Sequence, residues 1–106
     1  MLTSRAKYAL RASIALAEQY SARTWTSAGD LAEIAAVPKK FLEAILTQLR
    51  DQGLVESRRG PAGGHRLTAA PATISVADVI RSIDGPLAIR MRVAPETPVI
   101  AALFGS

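Results

Sequence analysis

The stretch Gly53-Leu54-Val55-Glu56-Ser57-Arg58-Arg59-Gly60-Pro61-Ala62-Gly63-Gly64-His65-Arg66-Leu67 decides the fold. It reads as two short strands, residues 54–57 and 66–68, joined by a glycine-rich loop over residues 58–65. Gly60, Gly63 and Gly64, with Pro61, leave a loop with few side chains and a stiffened path, so that backbone can approach another surface closely. Arg58, Arg59 and Arg66 bring positive charge to that surface with no acid between them. A polyanion such as DNA is the partner this chemistry fits.

Immediately upstream, residues 38–52 divide by face as a helix should. Phe41, Leu42, Ile45, Leu46 and Leu49 make an apolar stripe, while Lys39, Lys40, Glu43, Thr47 and Arg50 point the other way. Gly53 is placed to cap this helix, and Pro38 to open it at its first position. Ser27-x-x-Asp30 starts an earlier helix with Leu31, Ile34 and Ala35 on one face, ending near Ala36. Two helices joined by so short a turn form a helix-turn-helix. Thr24-Trp25-Thr26 is β-prone and is expected as a short strand ahead of it. Residues 4–20 read as a first helix, with Ala9, Leu10, Ser13, Ile14, Leu16 and Ala17 at helical spacing. Arg5, Lys7 and Arg11 load its first half with cations, against the preference of the helix dipole, and a phosphate resting there offsets the conflict.

A basic helix followed by a hairpin is the outline of a winged helix-turn-helix: mainly α, with one small β-hairpin as the wing. A further helix follows, capped by Ser75 with Asp78 at its third position, striped by Val76, Val79, Ile80 and Ile83, and stopped by Asp84-Gly85-Pro86. Residues 1–88 are therefore assigned to a winged helix-turn-helix DNA-binding domain. Residues 89–106, with Arg90, Arg92, Pro95 and Pro98, are assigned to a linker and an incomplete C-terminal, dimer-forming segment.

Composition sets the bounds. A chain of 106 residues is about one domain, and 49% apolar with 21% charged residues is globular rather than disordered. The net charge of +4 favours an acidic partner. There is no cysteine, which excludes disulfides and thiolate-held metals and fits the cytoplasm. The apolar runs are too short for a signal-peptide core or a membrane span, so no membrane role is expected.

The helix-turn-helix, wing and following helix together resemble the bacterial regulator family that includes IscR, NsrR and CymR. The resemblance covers roughly residues 2–88. It rests on Leu2-Thr3-Ser4 with Tyr8-Ala9-Leu10-Arg11, on Phe41-Leu42-Glu43 with Leu49-Arg50, and on Val76-Ala77-Asp78-Val79-Ile80-Arg81 with Asp84-Gly85-Pro86-Leu87. The strongest part is the wing, Ser57-x-Arg59-Gly60-Pro61-x-Gly63-Gly64-x-Arg66-Leu67. The resemblance implies a homodimeric transcription factor, with the third helix in the major groove and the wing at the minor groove. It implies Ser4, Lys7 and Tyr8 at phosphate, Glu43 facing bases and Arg59 in the minor groove. Many members hold an iron–sulfur cluster on cysteines, which this chain lacks, so no cofactor is expected. Members also continue into a long dimer-forming helix. The chain stops at Ser106, before such a helix is complete, so the expected dimer is weak and rests on the first helix and residues 99–104.

Other readings fit less well. The glycine loop lacks the lysine and hydroxyl of a P-loop and precedes a strand, which argues against a nucleotide enzyme. His65, the only histidine, reads as a wing-surface or phosphate contact rather than a catalytic base. A winged helix used only for protein contact is the alternative; it would carry exposed apolar or mixed residues where this chain carries Lys39, Lys40, Arg58, Arg59 and Arg66.

Overall fold

Small side chains let the first helix lie at the centre of the molecule. In α1 (Ser4–Tyr20), Ala6, Ala9, Ala12 and Ala15 are all buried, with Leu16 beside them. Thr3 caps the helix by accepting the Ala6 N–H at 3.0 Å. Buried Ser13 donates to the Ala9 carbonyl at 2.8 Å, so its hydroxyl costs little in the core. Leu10 and Ile14, expected within the stripe, are only half-buried at its flank, and the alanines take their place. The computed structural model describes residues 3–22 and 24–84, so Gly85, Pro86 and the whole of the 89–106 assignment lie outside the described residues.

After α1 come α2 (Ala28–Ala35), α3 (Lys39–Asp51), β1 (Val55–Arg58), β2 (Gly64–Leu67), a 3-10 turn at Pro71–Thr73 and α4 (Val76–Asp84). This is the mainly α winged helix-turn-helix expected. The core is built from Leu16, Leu31, Leu42, Ile45, Leu49, Val55, Val79 and Ile80, drawn from every helix and the hairpin. Each such side chain contributes about 1.5–3 kcal/mol relative to exposure.

Ser27 caps α2 by accepting the Asp30 N–H at 3.1 Å. At the other end Ala36 turns left-handed (φ 56°, ψ 49°), which lets Val37 donate to the Ala32 carbonyl at 3.0 Å and closes the helix. Glycine is the residue this position favours, because a Cβ there costs about 1–2 kcal/mol. Ala36→Gly relieves that strain and loosens the unfolded chain by somewhat less. A net gain of about 0.5–1 kcal/mol is expected in urea denaturation. A loss would mean the alanine methyl packs in a way the burial of this turn does not suggest.

Three expectations are corrected in the helix-turn-helix. Ile34 is not buried with Leu31 and Ala35 but 48% exposed, because α2 is short and meets its neighbours along the Leu31–Ala35 edge. Helix three starts at Lys39; Pro38 is its extended N-cap (φ −56°, ψ 134°), with its carbonyl accepting from Phe41 and Leu42. Phe41 is 46% exposed rather than part of the core, while Leu42, Ile45, Leu46 and Leu49 are buried as expected. Gly53 does cap α3, at φ 81°, with Gly53 donating to Arg50 and Leu54 to Leu49, each at 2.9 Å.

That cap uses Leu54, so the strands lie nearer the tip than expected. They pair antiparallel as Val55↔Leu67, Glu56↔Arg66, Ser57↔His65 and Arg58↔Gly64, and the loop shrinks to residues 59–63. The strand expected at 24–26 is a single bridge, in which Thr26 and His65 exchange backbone hydrogen bonds of 3.0 and 2.8 Å. Helix α4 has the full reciprocal cap: Ser75 Oγ accepts the Asp78 N–H at 3.0 Å, and Asp78 accepts the Ser75 N–H at 2.9 Å. Its Val76, Ala77, Val79 and Ile80 are buried.

Candidate nucleic-acid interface

The outer face of α3 carries Lys39, Lys40, Glu43, Ala44, Thr47 and Arg50, all exposed. On one flank it is tied to the start of α1. The Arg5 guanidinium donates to Gln48 Oε1, and the Tyr8 and Phe41 rings stack with centroids 5.9 Å apart at 25°. Ser4 and Lys7 are exposed beside them, and the first turn of α1 holds no acid. Ser4, Arg5 and Tyr8 line one groove with Phe41 and Ala44, and the Lys40 ammonium lies over the Phe41 ring. Arg5, read as part of the basic start of α1, and Phe41, expected in the buried stripe of α3, both belong to this surface.

On the other flank α3 meets the base of the wing, where Glu43, Thr47 and Arg50 share a cleft with Ala28 and His65. His65 is not a free surface residue. It is half-buried in β2, with its Nδ1 2.7 Å from Ser57 Oγ. Burial, then Arg50, hold its pKa below the ordinary 6.5, partly opposed by Glu43. The unfolded chain thus binds a proton at His65 more readily than the folded one, and stability is lost as pH falls below 6.5. Asp78, held below its ordinary 3.8 chiefly by the Ser75 backbone N–H, adds a separate loss only at pH below that value. Melting temperature against pH should show both windows, and His65→Gln should remove the upper one alone. An unchanged upper window in that variant would place the proton elsewhere.

The wing cations differ in their neighbours. Val55, Ser57, His65 and Leu67 share one face, Glu56, Arg58 and Arg66 the other. Arg66 Nε is 3.2 Å from Glu56 Oε2, and its guanidinium sits 4.1 Å over the Trp25 ring. Arg58 and Arg59 are exposed towards the tip. The glycines face inward demands as well as outward ones. A Cβ on Gly63 would lie 2.0 Å from the Arg58 carbonyl oxygen, and one on Gly64 would lie 2.5 Å from the Thr26 backbone. Of the three loop glycines, Gly60, at φ 106°, has open space around it.

The described residues thus form a winged helix with exposed cations at the start of α1, on the outer face of α3 and at the wing tip. A profile of the Rrf2 family, described as iron-dependent transcriptional regulators, matches residues 2–102, and the chain belongs to that family. It is 44% identical over 91 residues to an rrf2-like HTH-type transcriptional regulator of Rhodobacter capsulatus, covering 83% of this chain and 60% of that protein. It is 39% identical over 83 residues to the HTH-type regulator IscR of Vibrio vulnificus, covering 78% of this chain and 49% of that one. A transcriptional regulator from Listeria innocua has a similar structure, with a TM-score of 0.86 at 27% identity over 100% of this chain and 88% of that chain. CymR, the global cysteine regulator of B. subtilis, gives a TM-score of 0.77 at 30% identity over 98% and 80%. The chain spans about half to three-fifths of the length of these curated relatives.

These relatives are regulators of transcription, not enzymes. The family's iron does not fit the donors present here. Cluster ligation relies on thiolate sulfur, this sequence has no cysteine, and the described residues bring no three metal-binding side chains together. Among the described residues no helix is long and apolar enough to cross a membrane.

Proposed function

We propose that this chain is a cytoplasmic, homodimeric repressor that binds double-stranded DNA sequence-specifically and without a cofactor. The observation that carries this reading is the union of the basic start of α1 with the exposed face of α3, beside the wing. In the proposed complex, the N-terminal half of α3 enters the major groove. Lys39 and Lys40 donate to guanine acceptors or phosphate, and Glu43 accepts from cytosine N4. Ser4, Lys7 and Tyr8 meet phosphate, where the α1 N-terminus favours negative charge.

Arg59 enters the minor groove, whose negative potential is strongest where it is narrow. Arg58 stays near the backbone. Gly60 shapes the tip, Gly63 and Gly64 allow the wing to close, and His65 and Arg66 brace it from opposite faces. The test is retention on heparin followed by binding to random duplex DNA across salt, then selection of sites from a random pool. Affinity should fall steeply with salt, and the selected sites should be paired half-sites bound cooperatively. Salt-independent binding, or single half-sites, would overturn the reading.

A further inference from the structure

Phe41 stands out as an aromatic side chain 46% exposed on a helix face otherwise made of polar and small residues. Its surroundings form a continuous run of side chains. Arg11 donates to the Ala36 carbonyl at 3.3 Å, in the turn between α2 and α3, and its guanidinium lies 5.9 Å from the Tyr8 ring centre. Tyr8 stacks on Phe41, and the Lys40 ammonium sits 5.0 Å from the Phe41 ring centre. Both cation distances are within the range in which a ring's negative face attracts a charge.

From this we infer that Phe41 is a positioning residue for DNA binding: its ring, fixed by Tyr8, holds Lys40 in place at the head of α3. The inference rests on the DNA-binding reading above. A free lysine ammonium on its four-carbon stem loses much rotamer freedom when it is fixed against DNA. A ring that already confines it removes part of that loss before DNA arrives. The ring does not add charge, so it changes affinity without changing how many counterions DNA releases. That separates it from the cations it serves.

The experiment measures binding of the 106-residue chain to a random-sequence duplex by fluorescence anisotropy over a range of salt. Phe41→Leu keeps an apolar side chain at a half-exposed position and removes the ring. Affinity should fall roughly three- to tenfold with the salt slope held. Lys40→Ala should instead lower the slope by about one unit. Phe41→Tyr should restore binding, because the ring returns. In the Lys40→Ala background, Phe41→Leu should cost almost nothing further. The inference is overturned by unchanged affinity in Phe41→Leu, by a Phe41→Tyr variant as weak as Phe41→Leu, or by a full second loss in the Lys40→Ala background. If the unaltered chain does not bind duplex DNA at any salt, the DNA reading itself falls, and this inference with it.

Discussion

Gly63→Ala and Gly64→Ala are each expected to cost about 3 kcal/mol of stability, the upper end of what an overpacked interior methyl costs. For a domain of this size that is a fall in melting temperature on the order of 15 °C. The atoms in the way are backbone and cannot swing aside. The Arg58 carbonyl oxygen would be 2.0 Å from the new Gly63 methyl, and the Thr26 carbonyl 2.5 Å from that on Gly64. Gly64 adds a φ of 152°, which side-chain-bearing residues rarely adopt.

Two other glycines serve as controls. Gly60→Ala meets nothing within 4 Å but sits at φ 106°, so only conformational strain of about 1–2 kcal/mol is expected. Gly29→Ala, in the first turn of α2, finds only Ser27 Oγ at 4.0 Å, and should stabilise by about 0.4–1 kcal/mol because alanine narrows the unfolded ensemble without strain. Thermal denaturation of the four variants side by side checks the order. If Gly63→Ala and Gly64→Ala lose no more than Gly60→Ala, the close approaches are not tight enough to matter.

These glycines show where reading the sequence stops short. A glycine-rich loop after a basic helix marked the wing, and Gly60 does face open space as a surface-approach reading requires. Gly63 answers to the Arg58 backbone across the hairpin and Gly64 to the Thr26 backbone ahead of α2, and no local pattern carries that information. The spacing of apolar residues placed the span of α1 and the buried row of α3 well, though in α1 Leu10 and Ile14 lie at the flank of the buried alanines. It failed at Phe41 and Ile34, both at the margin of a stripe. Which margin is covered depends on the neighbouring helix: for Phe41 that neighbour is Tyr8, and it covers the ring only in part. The caps at Gly53 and at Ser75 with Asp78 were legible because each is closed by residues within one turn.

The arginines of the wing make the same point about charge. Arg58, Arg59 and Arg66, close together in sequence, suggested a single basic surface. Which residues each meets depends on strand register, and register depends on how many residues the α3 cap and the turn consume. Once Leu54 closes the helix and the loop narrows to residues 59–63, Arg66 falls opposite Glu56 and over Trp25.

Arg59→Ala should accordingly weaken binding to a selected site by about 1–3 kcal/mol and lower the salt slope by about one unit. Its melting temperature should stay within about 0.5 kcal/mol of the parent in stability terms, as for other exposed substitutions. Arg66→Ala should behave in the opposite way. It removes the guanidinium from Trp25 and leaves the partly exposed Glu56 carboxylate without its partner. The ion pair alone counts for little at that exposure, so the lost ring contact dominates, and a stability loss of about 1 kcal/mol is expected. DNA affinity, measured well below the melting transition, should keep the parent salt slope, because that cation is already engaged within the fold. Anisotropy titrations across salt and thermal melts of both variants separate the two roles. A salt slope that drops equally in Arg59→Ala and Arg66→Ala would mean that Arg66 leaves Glu56 and Trp25 when DNA binds, and that both arginines act on phosphate.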